Sequence, residues 1–346
     1  MAGVILGVES TAHTLSLGFV GEDGTLFSSE SALFKPKEGG IHPREAADHH
    51  SLKAPELISR LLSREDFNQD DVVGVSFSQG PGLGPCLRIG ASVARSLSSI
   101  WNTPLIGVNH CVAHIEIGRN QTGCEDPVLL YASGGNTQVI ARAGDRYRVI
   151  GETLDIGIGN MLDKFARQHD IPFPGGPIIE NLSNEWLKSG RHTQSNLINL
   201  PYGVHGTDLA FSGLLTSAIS HAKELPLEQV CYSLQEHSFS SCIEVAERAM
   251  AHTGKRELLL GGGVACNGRL REMSRVMCEE RGGEAFWPEK QYCIDNGTMI
   301  AELGRKELQS GRITNLSESG IDSSMRTDSS VICLLYTSPS PRDGSE

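Results

Sequence analysis

Two histidines four residues apart, His110 and His114, stand in the run Asn109-His110-Cys111-Val112-Ala113-His114-Ile115-Glu116-Ile117-Gly118. In a helix that spacing puts both imidazoles on one face, where they can grip a single metal ion. Zinc proteases use such a pair with a glutamate directly after the first histidine as general base. Here that position is Cys111, so the pair points to a metal and away from proteolysis. Twelve histidines scattered over 346 residues give about 0.4 such pairs by chance, so the spacing alone does not decide the matter.

Glycine and hydroxyl clusters supply the other candidate chemistry. Glu9-Ser10-Thr11 is a polar turn between an apolar run at 4–8 and an alternating run at 13–20 that places Leu15, Leu17 and Phe19 on one face. Backbone N–H groups and hydroxyls in such a turn suit a phosphate, although most turns of this kind only reverse the chain. The glycine loop at 80–84 lies between a strand at 72–77 and a helix at about 87–100. It lacks the lysine of a P-loop and the spacing of a dinucleotide fingerprint, so it is a weak nucleotide signal. A second strand, glycine loop and helix unit runs through Leu258-Leu259-Leu260 and Gly261-Gly262-Gly263 to a helix from Arg269. Flat glycine backbone there suits an adenine.

These loops need rigid elements behind them. With 39% hydrophobic residues the chain is globular, and its length suggests about two domains. Residues 35–64 read as a helical insertion in two stretches, in which His42, His49 and His50 could be ligands but are expected to belong to a solvated helix start. After a joint at 124–127, strand, turn and strand recur through Ser133-Gly134-Gly135-Asn136. This faint internal repeat implies an α/β fold of two lobes, 1–124 and 125–327, of the actin, Hsp70 and sugar-kinase type, with the active site in the interlobe cleft. A helix at 155–167 carries Asp163, a break at 174–177 precedes Glu180, and the last helix at 298–308 is expected to pack back toward the N-terminal lobe. Residues 328–346 do not conform to the pattern and are expected to be a disordered tail.

Charge and cysteine content narrow the classes further. Thirty basic against 42 acidic residues give a net charge of −12, the wrong sign for holding nucleic acid through the overall field. A nucleic-acid role therefore needs a local basic patch or a basic partner. Nine cysteines without any C-x-x-C spacing, no signal peptide and no membrane-length apolar run suggest a reduced, cytoplasmic setting with no membrane contact. The cysteines are expected to be small buried hydrophobes.

Nine segments in order carry a family resemblance: Val8-Glu9-Ser10-Thr11, Gln79-Gly80-Pro81-Gly82, His110 through His114, Tyr131 through Thr137, Gly151-Glu152-Thr153, Leu162-Asp163-Lys164-Phe165, Pro174 through Glu180, Gly262 through Asn267, and Asp295-Asn296-Gly297. Over residues 3 to about 327 the chain resembles the universal tRNA threonylcarbamoyladenosine synthases, the KEOPS-complex catalytic subunits formerly called O-sialoglycoprotein endopeptidases. Pro174-Gly175-Gly176-Pro177 looks closer to archaeal members, whereas 334–346 resembles nothing in the family.

The resemblance implies one divalent metal, iron in preference to zinc, held by His110, His114, Tyr131 and Asp295. Two nitrogens, a phenolate and a carboxylate suit either ion. Taken alone, Tyr131 reads as a packing residue at a strand end and Asp295 as a helix N-cap. The resemblance also implies that the nucleotide lies along Tyr131, Ala132, Ser133, Gly134 and Gly135. Asp163, Gly176 and Glu180 would meet ribose hydroxyls, and Asn267 would sit near the base.

The implied reaction moves a threonylcarbamoyl group from threonylcarbamoyl-AMP to N6 of adenosine 37 in tRNAs reading codons that begin with A, releasing AMP. The implied partners are tRNA and the KEOPS subunits: a small kinase-like ATPase, a dimerising subunit and a tRNA-binding accessory subunit. No Ser-His-Asp or Cys-His nucleophile stands out, which favours direct transfer with no catalytic residue beyond the metal site. An ATPase or sugar kinase of the same fold, a metalloendopeptidase, and a binding subunit without chemistry are the alternatives.

Overall fold

The computed structural model describes residues 3–36, 40–190 and 197–329, so residues 330–346 of the expected tail lie outside the described residues. The chain divides into two compact units: Met1–Asn120 with Ala143–Tyr147 and Asp295–Glu346, and Gln121–Arg142 with Arg148–Ile294.

The first unit opens with β1 (Val4–Glu9), β2 (Thr14–Gly21) and β3 (Glu30–Leu33). The helix α1 (Pro43–Leu62), β4 (Val72–Gly80), α2 (Gly84–Trp101), β5 (Leu105–Asn109) and α3 (His110–Thr122) follow. Its sheet has the order β3-β2-β1-β4-β5, with β1 antiparallel to β2 and parallel to β4. Parallel strands buried on both faces read as continuous apolar runs, which is why β4 was legible.

The two helical stretches expected at 35–64 form one helix, α1, that runs through Pro55. Its histidines depart from the solvated reading at one position. His50 is fully buried and its Nε2 donates to the carbonyl of Ala12 at 3.0 Å, tying α1 to the turn after β1. Burial there lowers the His50 pKa to about 4, so the ring is neutral.

The second unit contains β6 (Val128–Ala132), β7 (Thr137–Ala143), β8 (Arg146–Glu152), α4 (Ile158–Arg167) and α5 (Gly176–Lys188). A short hairpin of β9 (Val204–His205) and β10 (Asp208–Leu209) precedes α6 (Ser212–His221) and the 27-residue α7 (Leu227–Thr253). Then come β11 (Glu257–Gly261), α8 (Gly268–Glu280), β12 (Glu284–Phe286) and α9 (Lys290–Cys293). The sheet order is β12-β11-β6-β7-β8. Matching β6 to β1, β7 to β2, β8 to β3, β11 to β4 and β12 to β5 reproduces the first sheet, so the repeat seen faintly in sequence is a repeat of connectivity.

Helix α4 starts at Ile158, three residues later than expected. Asp155 instead accepts from the N–H groups of Phe211 and Ser212 at 2.9 and 2.8 Å, at the start of α6.

The final helix α10 (Gly297–Gln309) lies in the first unit directly on β1 and β2. A Cβ at Gly7 would collide with the Gly297 carbonyl and the Ala301 nitrogen, and one at Gly297 would collide with the Gly18 nitrogen. Three glycines thus let helix and sheet backbones touch. Ser16 Oγ accepts from Gly297 N–H at 2.9 Å and fixes the helix start, which carries Asp295 with it.

Candidate metal centre and glycine loops

Asn109, the last residue of β5, accepts through Oδ1 from the N–H groups of Cys111 (2.9 Å) and Val112 (3.2 Å). This N-cap starts α3 at His110 and puts both histidines in its first two turns. Their rings meet edge to face at 4.9 Å between centroids.

Asp295 closes the cluster. Its Oδ1 lies 3.2 Å from His114 Nε2 and 3.5 Å from His110 Nε2, and one ligand atom from each of the three residues falls within 4.8 Å of the others. Ligands bound tetrahedrally at about 2.0–2.2 Å sit about 3.3 Å apart, which the two Asp295 distances match. The expected cap role goes instead to Asn296, whose side chain accepts from Met299 N–H at 2.8 Å. Asp295 is therefore left to face the histidines. It is the most accessible of the three, with 14% of its side chain exposed against 5% for His110 and 0% for His114.

In the sequence Glu9 reads as part of a turn and of the first family segment, with no ligand or orienting role. Its Oε2 lies 2.9 Å from His110 Nδ1, while its Oε1 accepts from both Thr11 N–H and Thr11 Oγ1 at 2.5 Å. The carboxylate thus fixes Nδ1–H as the donor and turns the Nε2 lone pair toward Asp295, a carboxylate–histidine arrangement typical of metal ligands. No sequence signal short of the fold could pair residues 9 and 110.

The charges agree with this reading. Burial alone would lower the His110 pKa, yet the Glu9 and Asp295 carboxylates raise it to about 9. Burial holds His114 below its usual value, and Asp295, despite burial, is held well below the carboxylate range by the two imidazoles. Two carboxylates around buried rings call for a cation, supplied by a proton on His110 or by a metal that displaces it. Cys111 is buried and its thiol is pushed to about 12 by burial, so it is no nucleophile.

Replacing Glu9 by glutamine should present an amide N–H to Nδ1, flip the tautomer and aim the Nε2 proton at the ligand position. A fall of about 10–100-fold in divalent-metal affinity is expected, read by competition with a chromogenic chelator. Unchanged affinity would remove Glu9 from the site.

Behind the ligands, α3 and α10 are joined by buried charge. Lys306 Nζ lies 2.6 Å from Glu116 Oε2 and 3.1 Å from Glu302 Oε1, and Tyr147 donates to Glu116 Oε1 at 2.5 Å. Arg119 adds a contact to Glu116 at 3.3 Å. The helix bearing both histidines and the helix that follows Asp295 are thereby clamped together.

In the second unit the residues expected to meet the nucleotide are engaged in local contacts. The turn after Ala132 is held by Ser133 and Gly134 carbonyls, which accept from Gly159 and Asn160 N–H groups at 3.1 and 3.0 Å. Gly157, Gly159 and Gly262 each press backbone against this turn where a Cβ would clash, and Gly262 has a φ of +91°. Asp163 accepts from Gly175 N–H at 2.8 Å and so sets the bend ahead of Gly176. Glu180 accepts from Gly268 N–H at 2.7 Å. Asn267 caps α8 through Oδ1 and donates to Gln235 Oε1 at 2.9 Å. These side chains hold the glycine-rich backbone at 175–176 and 267–268 in place. Tyr131 is the last but one residue of β6 in this unit, buried and paired in register with Gln138 and Gly261.

Two sheets of like connectivity define the actin, Hsp70 and sugar-kinase class. HypF from T. kodakarensis aligns with a TM-score of 0.60 at 14% identity over 89% of this chain and 48% of that one. The activator of the 2-hydroxyisocaproyl-CoA dehydratase from Clostridium difficile aligns with a TM-score of 0.52 at 13% identity over 91% and 99%. Such distant likenesses speak to fold alone.

The chain belongs to the tRNA N6-adenosine threonylcarbamoyltransferase family, whose model matches residues 26–302. It is 52% identical over 326 residues to a probable bifunctional tRNA threonylcarbamoyladenosine biosynthesis protein of Methanoculleus marisnigri, covering 94% of this chain and 59% of that protein. It is 48% identical over 327 residues to a tRNA N6-adenosine threonylcarbamoyltransferase of Methanococcoides burtonii, covering 94% and 95%. The chain therefore spans about 59% of the length of the bifunctional relative and nearly all of the other. Among the described residues, no helix is long and apolar enough to cross a membrane.

Proposed function

We propose that this chain transfers the threonylcarbamoyl group from threonylcarbamoyl-AMP to N6 of adenosine 37 in tRNAs reading codons that begin with A, as the catalytic subunit of a KEOPS-type assembly in the cytoplasm. The observation that carries the reading is the His110, His114 and Asp295 cluster, oriented by Glu9, in a chain of this family.

The N6 amine is a weak nucleophile because its lone pair is delocalised into the ring, so the acyl donor must be activated and aligned. In the step proposed, a bond forms between N6 and the carbamoyl carbon, the bond to the phosphate oxygen of the mixed anhydride breaks, AMP leaves with that electron pair, and N6 gives up one proton to solvent. His110, His114 and Asp295 would hold one divalent ion, iron in preference to zinc, with Tyr131 as the phenolate ligand the resemblance implies. Such an ion supplies a Lewis acid that polarises and orients the donor. The glycine backbone at 133–135 and 262–263 would receive the AMP part. Asp163, Gly176 and Glu180 would line its ribose and Asn267 its base, with ionised carboxylates making the stronger hydrogen bonds. Holding donor and amine in line supplies much of the rate by proximity.

The acidic net charge supports a division of labour in which the partners implied by the resemblance hold much of the tRNA. These are a small kinase-like ATPase, a dimerising subunit and a tRNA-binding accessory subunit. Incubation with threonylcarbamoyl-AMP and unmodified tRNA, with and without those archaeal subunits, followed by mass analysis of nucleosides, tests the reading. Steady ATP turnover without tRNA and without any modified nucleoside would favour a kinase of the same fold.

A further inference from the structure

A chain of net charge −12 meets nucleic acid through a local cationic face rather than through its overall field. The first unit carries such a face around residues 11–13, the turn after β1. Three elements each grip one carbonyl of that turn. Leu83, the N-cap residue of α2, donates its N–H to the Thr11 carbonyl at 2.7 Å, and His50 of α1 donates Nε2–H to Ala12 at 3.0 Å. Phe34, just past β3, donates its N–H to the His13 carbonyl at 2.7 Å. Thr11 in turn donates to Glu9, the carboxylate that orients His110. The three elements are thereby fixed to the turn that supports the metal centre.

Each of them places an exposed cation close to its anchor. Lys35 follows Phe34 directly, Arg88 lies five residues beyond Leu83 and Arg44 six before His50, so both arginines lie within about 9 Å of those anchors along the helix axes. Helices α1 and α2 are joined at this end, where Cys86 Sγ donates to the Pro43 carbonyl at 3.7 Å and Phe34, Ala46, Leu83 and Cys86 share a small apolar cluster. Among the described residues the side chains of Lys35, Arg44 and Arg88 have no ion-pair or hydrogen-bond partner. Further along α1, by contrast, Lys53 and Arg60 are both paired with Glu56. Exposed Glu45 and Asp48 share the start of α1, so the net field there is weak and the three cations act through close contacts. Beside them the half-buried Phe34 and His49 rings lie 5.7 Å apart between centroids, tilted by 56°.

We propose that Lys35, Arg44 and Arg88 form the docking face for the anticodon loop of the acceptor tRNA, with their charges on its phosphates and the Phe34 and His49 rings against its unstacked bases. The inference rests on the function proposed above and names where this chain meets its tRNA. Unpaired cations spread over three elements suit a run of phosphates, and half-open rings suit bases splayed out of a loop, the form in which RNA sequence is read. A loop held at this turn lies next to the ligands that would orient the donor.

The test compares the full chain, assembled with the archaeal subunits, with the same assembly carrying Lys35→Gln, Arg44→Gln and Arg88→Gln, and titrates both with fluorescent unmodified tRNA over a series of salt concentrations. Three lost contacts to single-stranded phosphates should reduce the slope of log affinity against log salt by about 2 and weaken binding by about 50-fold at about 0.15 M salt. The transfer rate at saturating tRNA and the KM for threonylcarbamoyl-AMP should stay at their wild-type values. Three exposed cations of the second unit, exchanged as Lys188→Gln, Lys223→Gln and Arg256→Gln, should leave the slope unchanged. An unchanged slope in the first triple variant, or an equal reduction in the second, would overturn the proposal. So would loss of a partner subunit from the first variant with tRNA affinity kept, which would make the face a protein contact. A wild-type assembly that binds tRNA but forms no modified nucleoside would refute the proposed function, while the difference in slope still decides the docking face.

Discussion

Changing His110 and His114 together to alanine should abolish stoichiometric divalent-metal binding and lower threonylcarbamoyl transfer by about 100-fold or more. A positioned Lewis acid contributes several kcal/mol to an acyl transfer, and each 1.36 kcal/mol is a factor of about ten. The double change removes two of the three clustered ligands, leaving Asp295 alone. His114→Ala by itself separates ligation from folding, because it keeps the His110 and Glu9 contact that offsets two buried carboxylates. It should retain the fold by circular dichroism and still lose metal in elemental analysis. Metal content and transfer rate both unaffected in the double variant would refute the site.

The second large effect concerns the clamp between α3 and α10. Lys306 and Glu116 have side chains only 7% and 3% exposed, so Lys306→Met strands a buried carboxylate. Loss of about 3 kcal/mol of stability, the low end for a broken buried pair, is expected, because Arg119 still offsets part of the Glu116 charge. Glu116→Gln in the same chain should recover most of that loss, since the amide oxygen can still accept from Tyr147. Acid should mimic the single change. Although burial raises it, Lys306 and Arg119 hold the Glu116 carboxyl below its ordinary value of 4.5. Its contribution is thus complete above about pH 4.5 and is lost as pH falls through the lower folded value. Denaturant unfolding of the three chains between pH 3 and 7 measures this. A single variant as stable as wild type, or a pH profile unaltered by Lys306→Met, would show that the clamp carries little.

How much of this was written plainly in the chain depended on distance along it. His110 and His114 were legible because helical periodicity is local, and β4 because parallel strands leave apolar runs. The repeat of strand, turn and strand was legible for the same reason. Asp295 was reached only through the order of motifs, since taken alone Asp before a helix reads as a cap, and the cap turned out to be its neighbour Asn296. Glu9 with His110 and Glu116 with Lys306 join residues 101 and 190 positions apart, which no local pattern reports. The misreading of His50 had the opposite cause. Its polar neighbours suggested solvent, but one hydrogen bond to Ala12 was enough to satisfy a neutral ring inside the protein. Of the cysteines expected to be buried, Cys266 alone among the described residues is part-exposed, because a sequence gives no sign of which one a fold leaves half open.

The most direct test of the central claim is a single-turnover measurement with the full chain and archaeal partner subunits. The protein is stripped of metal and then reloaded with iron or zinc before threonylcarbamoyl-AMP and unmodified tRNA are added. The account predicts one AMP released per modified adenosine by the loaded protein, transfer reduced by about 100-fold or more after stripping, and recovery on reloading. Equal transfer by stripped and loaded protein, or AMP release without a modified nucleoside, would contradict it.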